Sequence, residues 1–197
     1  MKAIAIVLAR GGSKRLPGKN LLEINGRPML AWTVEAAINS NVFSRVVVST
    51  DSETIAKVAL SCGAEVPFLR STAADDHATS SEATLVALSQ AEHYWNESYS
   101  DVAQLMANCP LRSAVDIRSA FDAYVDSGAP SQVSCFRYGW MNPWWAFRMD
   151  PQGRPEWIFE TTNRERSQDL PTLYCPTGAI WIAKRNDLRT HGTFYKP

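Results

Sequence analysis

Long apolar runs, paired cysteines and an excess of charge of either sign are all missing from this 197-residue sequence, and each absence removes a class of protein. The opening apolar stretch, Ala3 to Ala9, stops at Arg10-Gly11-Gly12, far short of the roughly 20 residues that a membrane-spanning helix needs. No small-residue cleavage site follows it, so neither an export signal nor a membrane anchor is expected. The four cysteines, Cys62, Cys109, Cys135 and Cys175, form no CxxC pair and have no histidine at ligand spacing, which argues against a zinc site. Scattered thiols without an export signal point to a reducing, cytoplasmic compartment. Twenty Lys and Arg balance twenty Asp and Glu, so the global basic field of a nucleic-acid-binding protein is absent. Phosphate binding, if any, must be local. His77, His93 and His191 stand apart from any Ser or Cys arrangement that would make a nucleophile, and surface or capping roles suit them.

What is present is a foldable core. Hydrophobic residues make up 45% of the chain and charged residues 20%, a balance that supports one α/β domain over residues 1–197. Ala3 to Ala9 reads as a buried central strand, Pro28 to Asn39 as an amphipathic helix, and Arg45 to Thr50 as a second strand. Asp51-Ser52 offers cap chemistry for a helix that runs to about Ser61 and ends before Gly63. Val66 to Leu69 then reads as a strand, Ser80 to Tyr94 as a helix, Asp101 to Ala107 as a strand and Ala114 to Tyr124 as a helix. Gln132 to Phe136 and Gly178 to Ala183 complete the strands. Strands alternating with helices predict a doubly wound, mostly parallel sheet, which binds ligands beyond the carboxyl ends of its strands. Residues 137–176 break this rhythm. Trp140, Trp144, Trp145 and Trp157 crowd there among several prolines, which suits either an extended segment that packs against a partner or wall of a substrate pocket; a packing excursion of one subunit is the plainer reading.

The chemistry concentrates in Arg10-Gly11-Gly12-Ser13-Lys14-Arg15-Leu16-Pro17-Gly18-Lys19-Asn20. Here a buried strand ends, two glycines let backbone approach a ligand, and Arg10, Lys14, Arg15 and Lys19 supply cations. The loop is either a polyphosphate cradle or a charged, solvated turn. It matches neither the Walker A pattern, since Asn20 stands where Ser or Thr would hold magnesium, nor GxGxxG.

The string LARGGSKRLPGKN, followed by Gly26-Arg27-Pro28-Met29 and Val48-Ser49-Thr50-Asp51, resembles the N-terminal signature of the acylneuraminate cytidylyltransferases, the CMP-sialic acid synthetases. Phe68-Leu69-Arg70 before an Asp76-to-Ser80 turn, Cys109-Pro110-Leu111-Arg112, and Arg166 to Pro171 leading to Gly178-Ala179-Ile180-Trp181-Ile182 continue the resemblance in order along nearly the whole chain.

The resemblance implies a nucleotide-diphospho-sugar transferase-like fold. It also implies transfer of CMP from CTP to the anomeric hydroxyl of a nine-carbon sugar acid, with pyrophosphate released and Mg2+ assisting. Arg10 and Lys19 would be the catalytic cations on the triphosphate. Gly11, Ser13 and Asn20 would complete the loop side of the nucleotide site, and Arg70, Ala78 and Ser80 its ribose and base side. Asn108 and Arg166 would meet the sugar acid, Arg164 being an equal candidate for its carboxylate. A homodimer built through residues 137–176 is also implied.

Two departures qualify the resemblance. Met106 stands where many relatives carry a Gln associated with the sugar, which leaves pseudaminic, legionaminic and 3-deoxy-octulosonic acids open as acceptors. Relatives also continue past the Gly178 strand into paired metal-binding aspartates, whereas this sequence ends at Pro197; the metal ligands therefore stay unassigned, and a silent CTP-binding module is the rival reading. Asp51 is the nearest strand-end carboxylate, with helix capping as its expected role. Cys109 reads as a packing residue.

Overall fold

In the computed structural model, residues 2–72, 78–162, 164–166 and 168–195 are described. They fall into two units, one of residues 1–134 and 178–197, the other of residues 135–177.

Strand β1 (Ala3–Leu8) has no polar residue, and both of its faces are covered. Ala3, Ala5 and Val7 point to one cluster and Ile4 and Ile6 to another, as the two-residue period of a strand requires. The hairpin strands β2 (Glu23–Ile24) and β3 (Arg27–Pro28) lead into helix α1 (Met29–Ser40), and β4 (Arg45–Ser49) into α2 (Glu53–Ser61). Helix α3 (Ser80–Trp95), strand β5 (Asp101–Met106), helix α4 (Ala114–Ser127) and strand β6 (Ser131–Arg137) follow. After the short strands β7 (Phe147–Met149) and β8 (Pro155–Trp157) come β9 (Tyr174–Lys184) and α5 (Arg185–His191).

The sheet order is β4-β1-β5-β9-β6. β1 pairs in parallel with β4, Leu8 opposite Ser49, and with β5, Leu8 opposite Met106. Helices α1, α2 and α4 cover one face through Leu30, Val34, Ile55, Ile117 and Phe121, while Ala87, Leu88 and Ala91 of α3 and Leu188 of α5 cover the other. The doubly wound expectation holds, with β9 reversed: it runs antiparallel to β5, Asp101 opposite Lys184. An apolar run specifies burial and not direction, so this reversal is invisible in composition.

Two local readings need correction. Val66 to Leu69 forms no strand; the backbone pairs with the sheet at an isolated bridge between Glu65 and Val47, and Pro67, which lacks a ladder donor, interrupts the run. Asp51 does not cap α2, because Ser52 holds the N-cap position and accepts from the Ile55 N–H. Among the described residues no helix is long and apolar enough to cross a membrane.

The amino ends of the strands carry an ion network. Arg45 binds Glu65 at 2.7 Å and Glu97 at 3.1 Å and lies over the Trp95 ring, and Lys2 adds a 2.8 Å contact to Glu97. The hydrogen bond from Arg45, followed by that from Lys2, holds the Glu97 carboxyl down from 4.5 to about 2. A depressed carboxylate contributes stability that is complete above its unfolded value and is lost as pH falls towards its folded one. The wild type should therefore lose more stability than Glu97→Gln between about pH 6 and about pH 3, read as urea midpoints. Equal losses in the two proteins would show that Glu97 contributes no acid sensitivity.

The second unit is organised by aromatic contacts. Trp144 packs on Phe159 at 4.9 Å and donates to the Pro171 carbonyl, and Phe147 meets Trp157 across the β7–β8 hairpin. Trp140 and Met141 stay 77% and 71% exposed.

Candidate active site

The carboxyl ends of β1 and β5 open onto a cavity of about 370 Å³. Beyond β1 the chain leaves the sheet at Arg10 and returns at Asn20. The buried Asn20 side chain, 4% exposed, donates to the Arg10 carbonyl at 3.0 Å and closes the base of the excursion. Gly18, at φ 66°, turns the chain into a short 3-10 segment, Lys19–Leu21. Gly11 lies against the start of α2: its N–H donates to Asp51 Oδ1 at 2.7 Å, and a Cβ there would sit 3.1 Å from the Ser52 Cβ. The Gly11 N–H is thus directed to Asp51. Its glycine character serves close approach, and Asp51 serves the loop.

Arg10, Ser13, Lys19, Asn20, Arg70, Ala78, Ser80 and Asn108 all line the cavity, so eight residues singled out from sequence come together. Gly11 does not line it, and Lys14 and Arg15 project as exposed residues. Leu8, Thr79, Ala83 and Met106 complete the wall. Thr79 escaped the sequence reading, although Thr-x-x-Glu is the spacing of a capping box: its side chain accepts from the Glu82 N–H while Glu82 accepts from the Thr79 N–H. That box fixes the first turn of α3 at the rim. Arg166 lies in the second unit, exposed and paired with Asp169 at 2.8 Å. Asp76 and His77 lie outside the described residues.

Arg70 is the unusual member. It is 4% exposed, its N–H donates to the Thr50 carbonyl, and its Nη1 reaches Ser49 Oγ at 3.5 Å, while Nε is buried without a partner. Burial pushes this guanidinium below its ordinary value; Asp51 opposes the shift and Arg10 adds to it. Among the described residues, three cations and no acidic side chain line the cavity. Such a wall attracts a polyanion and neutralises charge on a leaving phosphate. Among the described residues no three His, Cys, Asp or Glu side chains come together in a group that could hold a metal ion.

A doubly wound sheet with a cationic cavity beyond its carboxyl strand ends defines an α/β domain built to hold a phosphorylated ligand. The model of the cytidylyltransferase family matches residues 4–185, and the chain belongs to that family, within its sialic-acid-type branch. It is 32% identical over 200 residues to the pseudaminic acid cytidylyltransferase of Campylobacter jejuni, covering 100% of this chain and 84% of that protein. Identity to the CMP-N,N'-diacetyllegionaminic acid synthase of Legionella pneumophila is 34% over 205 residues, covering 99% and 83%. The N-acylneuraminate cytidylyltransferase of Streptococcus agalactiae is 32% identical over 197 residues, covering 99% of this chain and 46% of that longer protein. Among solved structures, CMP:2-keto-3-deoxy-manno-octonic acid synthetase complexed with CTP shares the fold, with a TM-score of 0.72 at 20% identity over 100% of this chain and 80% of that one.

Proposed function

We propose that this cytidylyltransferase transfers CMP from CTP to the anomeric hydroxyl of a nonulosonic acid. The observation that carries the reading is the cavity beyond the carboxyl strand ends in which Arg10, Lys19 and Arg70 meet. The anomeric oxygen attacks the α-phosphorus in line, the bond from that phosphorus to the bridging oxygen breaks, pyrophosphate leaves with that oxygen, and the hydroxyl proton passes to solvent. Arg10 and Lys19 hold the triphosphate and neutralise the charge that grows on pyrophosphate. Arg70 and Ser80 hold the nucleoside side, and the Asn108 amide faces the acceptor. Catalysis by such a site rests on positioning. Magnesium enters with CTP as part of the substrate.

We also read the chain as a cytoplasmic homodimer. The exposed Trp140 and Met141 support the dimer, and the four free thiols support the compartment.

Isothermal titration with CTP, UTP, ATP and GTP in the presence of magnesium, together with pyrophosphate release across a panel of sugar acids, tests the reading. CTP should bind best and a nonulosonic acid should turn over; no preference for CTP would sink the nucleotide assignment. A specific observation keeps a second reading, a silent CTP-binding module: no metal-holding cluster occurs among the described residues. Tight CTP binding without pyrophosphate release from any acid would favour it.

A further inference from the structure

We propose that Gly178 and Met106 act as one device that sets the acceptor end of the cavity and makes it apolar. The proposal rests on the CMP-transfer reading. With the triphosphate on Arg10 and Lys19 and the nucleoside beside Arg70 and Ser80, the remaining wall holds Leu8, Thr79, Ala83, Met106 and Asn108, and its acceptor-facing part is the end of β5 at Met106 and Asn108.

Met106 is fixed at its backbone. Its carbonyl accepts from Thr33 Oγ1 at 3.4 Å and from Arg112 Nη2 at 3.4 Å. The same Arg112, itself buried, donates through Nη1 to the Ala179 carbonyl on β9. One guanidinium therefore ties the end of β5 to the residue after Gly178.

Gly178 then determines where the Met106 side chain goes. A Cβ at Gly178 would lie 2.6 Å from Met106 Cγ and 3.5 Å from its Cβ. The clash is with the stem of the side chain, next to an immobile backbone, so it is not relieved by moving a flexible tip. Backbone conformation does not explain the glycine, because Gly178 is not in the left-handed region. Any side chain at 178 forces Met106 into another rotamer and reshapes the cavity it lines.

The chemistry of that wall follows from the thioether, which donates no hydrogen bond and accepts only weakly. An acceptor hydroxyl pressed on Met106 would lose water without gaining a partner, whereas a methyl or acyl carbon would be desolvated favourably. The device thus selects acids that present an apolar substituent at this point.

The test compares nonulosonic acids that carry a methyl or a hydroxymethyl group at the same carbon. The wild type should favour the methyl acid by about tenfold or more in kcat/KM, the scale at which a pocket discriminates one small group. Gly178→Ala should raise the acceptor KM about tenfold while the Kd for CTP moves less than about twofold. Gly178→Ala combined with Met106→Ala should recover the acceptor KM, because the obstruction is gone. Met106→Gln, of similar length, should shift preference towards the hydroxymethyl acid and serves also if Gly178→Ala fails to fold. Equal loss of CTP and acceptor binding in Gly178→Ala, no recovery in the double variant, or a wild-type preference for the hydroxymethyl acid would each overturn the proposal. Absence of turnover with every acid would overturn the CMP-transfer reading and the acceptor assignment with it. Melting temperatures of the single and double variants still report whether the two positions are coupled, which separates the two failures.

Discussion

Alanine at Lys19 or at Arg10 should weaken CTP binding by about 1.5 to 3 kcal/mol, on the order of ten- to 150-fold in Kd. Each side chain is half-buried in the cavity wall, where a charged hydrogen bond to the triphosphate is less screened than on an open surface. Lys14 and Arg15, four and five residues along the same loop from Arg10, are exposed and do not line the cavity. Their alanine variants should lose much less, in a manner erased by salt. Titration calorimetry on the four variants separates a shaped cradle from a merely basic loop. Uniform losses, or unchanged affinity in both Lys19→Ala and Arg10→Ala, would refute the cradle.

The second large effect has opposite signs in two assays. Arg70 is buried, its Nε has no hydrogen-bond partner, and its charge is disfavoured there first by burial. Replacing an incompletely satisfied buried charge by an apolar side chain of similar volume is often stabilising, by about 1 to 4 kcal/mol. Arg70→Met should therefore raise the melting temperature of the unliganded protein while it weakens CTP binding by about 1.5 to 3 kcal/mol. Thermal melts with and without CTP measure both quantities. A lower melting temperature in the unliganded variant would mean that Arg70 supports the fold more than the ligand.

The site was more legible in the sequence than the sheet was. Glycines, cations and an asparagine between Arg10 and Asn20 left a choice between an anion cradle and a solvated turn, and the structure brings Arg10, Ser13, Lys19 and Asn20 to one cavity. Arg70, Ala78, Ser80 and Asn108 were reached through resemblance, since nothing in their immediate neighbours distinguishes a lining residue from an ordinary loop residue. Two roles escaped both routes. Asp51 had the chemistry of a helix cap, yet Ser52 occupies that position and Asp51 turns to the Gly11 N–H, a contact across 40 residues that no local pattern encodes. Gly178 looked like an ordinary strand glycine, and only its distance to Met106 reveals its role. In the sheet, the reversal of β9 and the failure of Val66 to Leu69 to pair were settled by tertiary contacts.

The hydrogen bond from Asn20 to the Arg10 carbonyl bears on the kinetics of binding. A loop joined at its base searches fewer conformations before a ligand arrives, so less ordering entropy is lost on association. The encounter with a triphosphate is then governed chiefly by diffusion and by the field of the cradle, which speeds arrival at low ionic strength and is damped by salt. One buried amide thus makes the association rate, as well as the affinity, a property of this short stretch of chain.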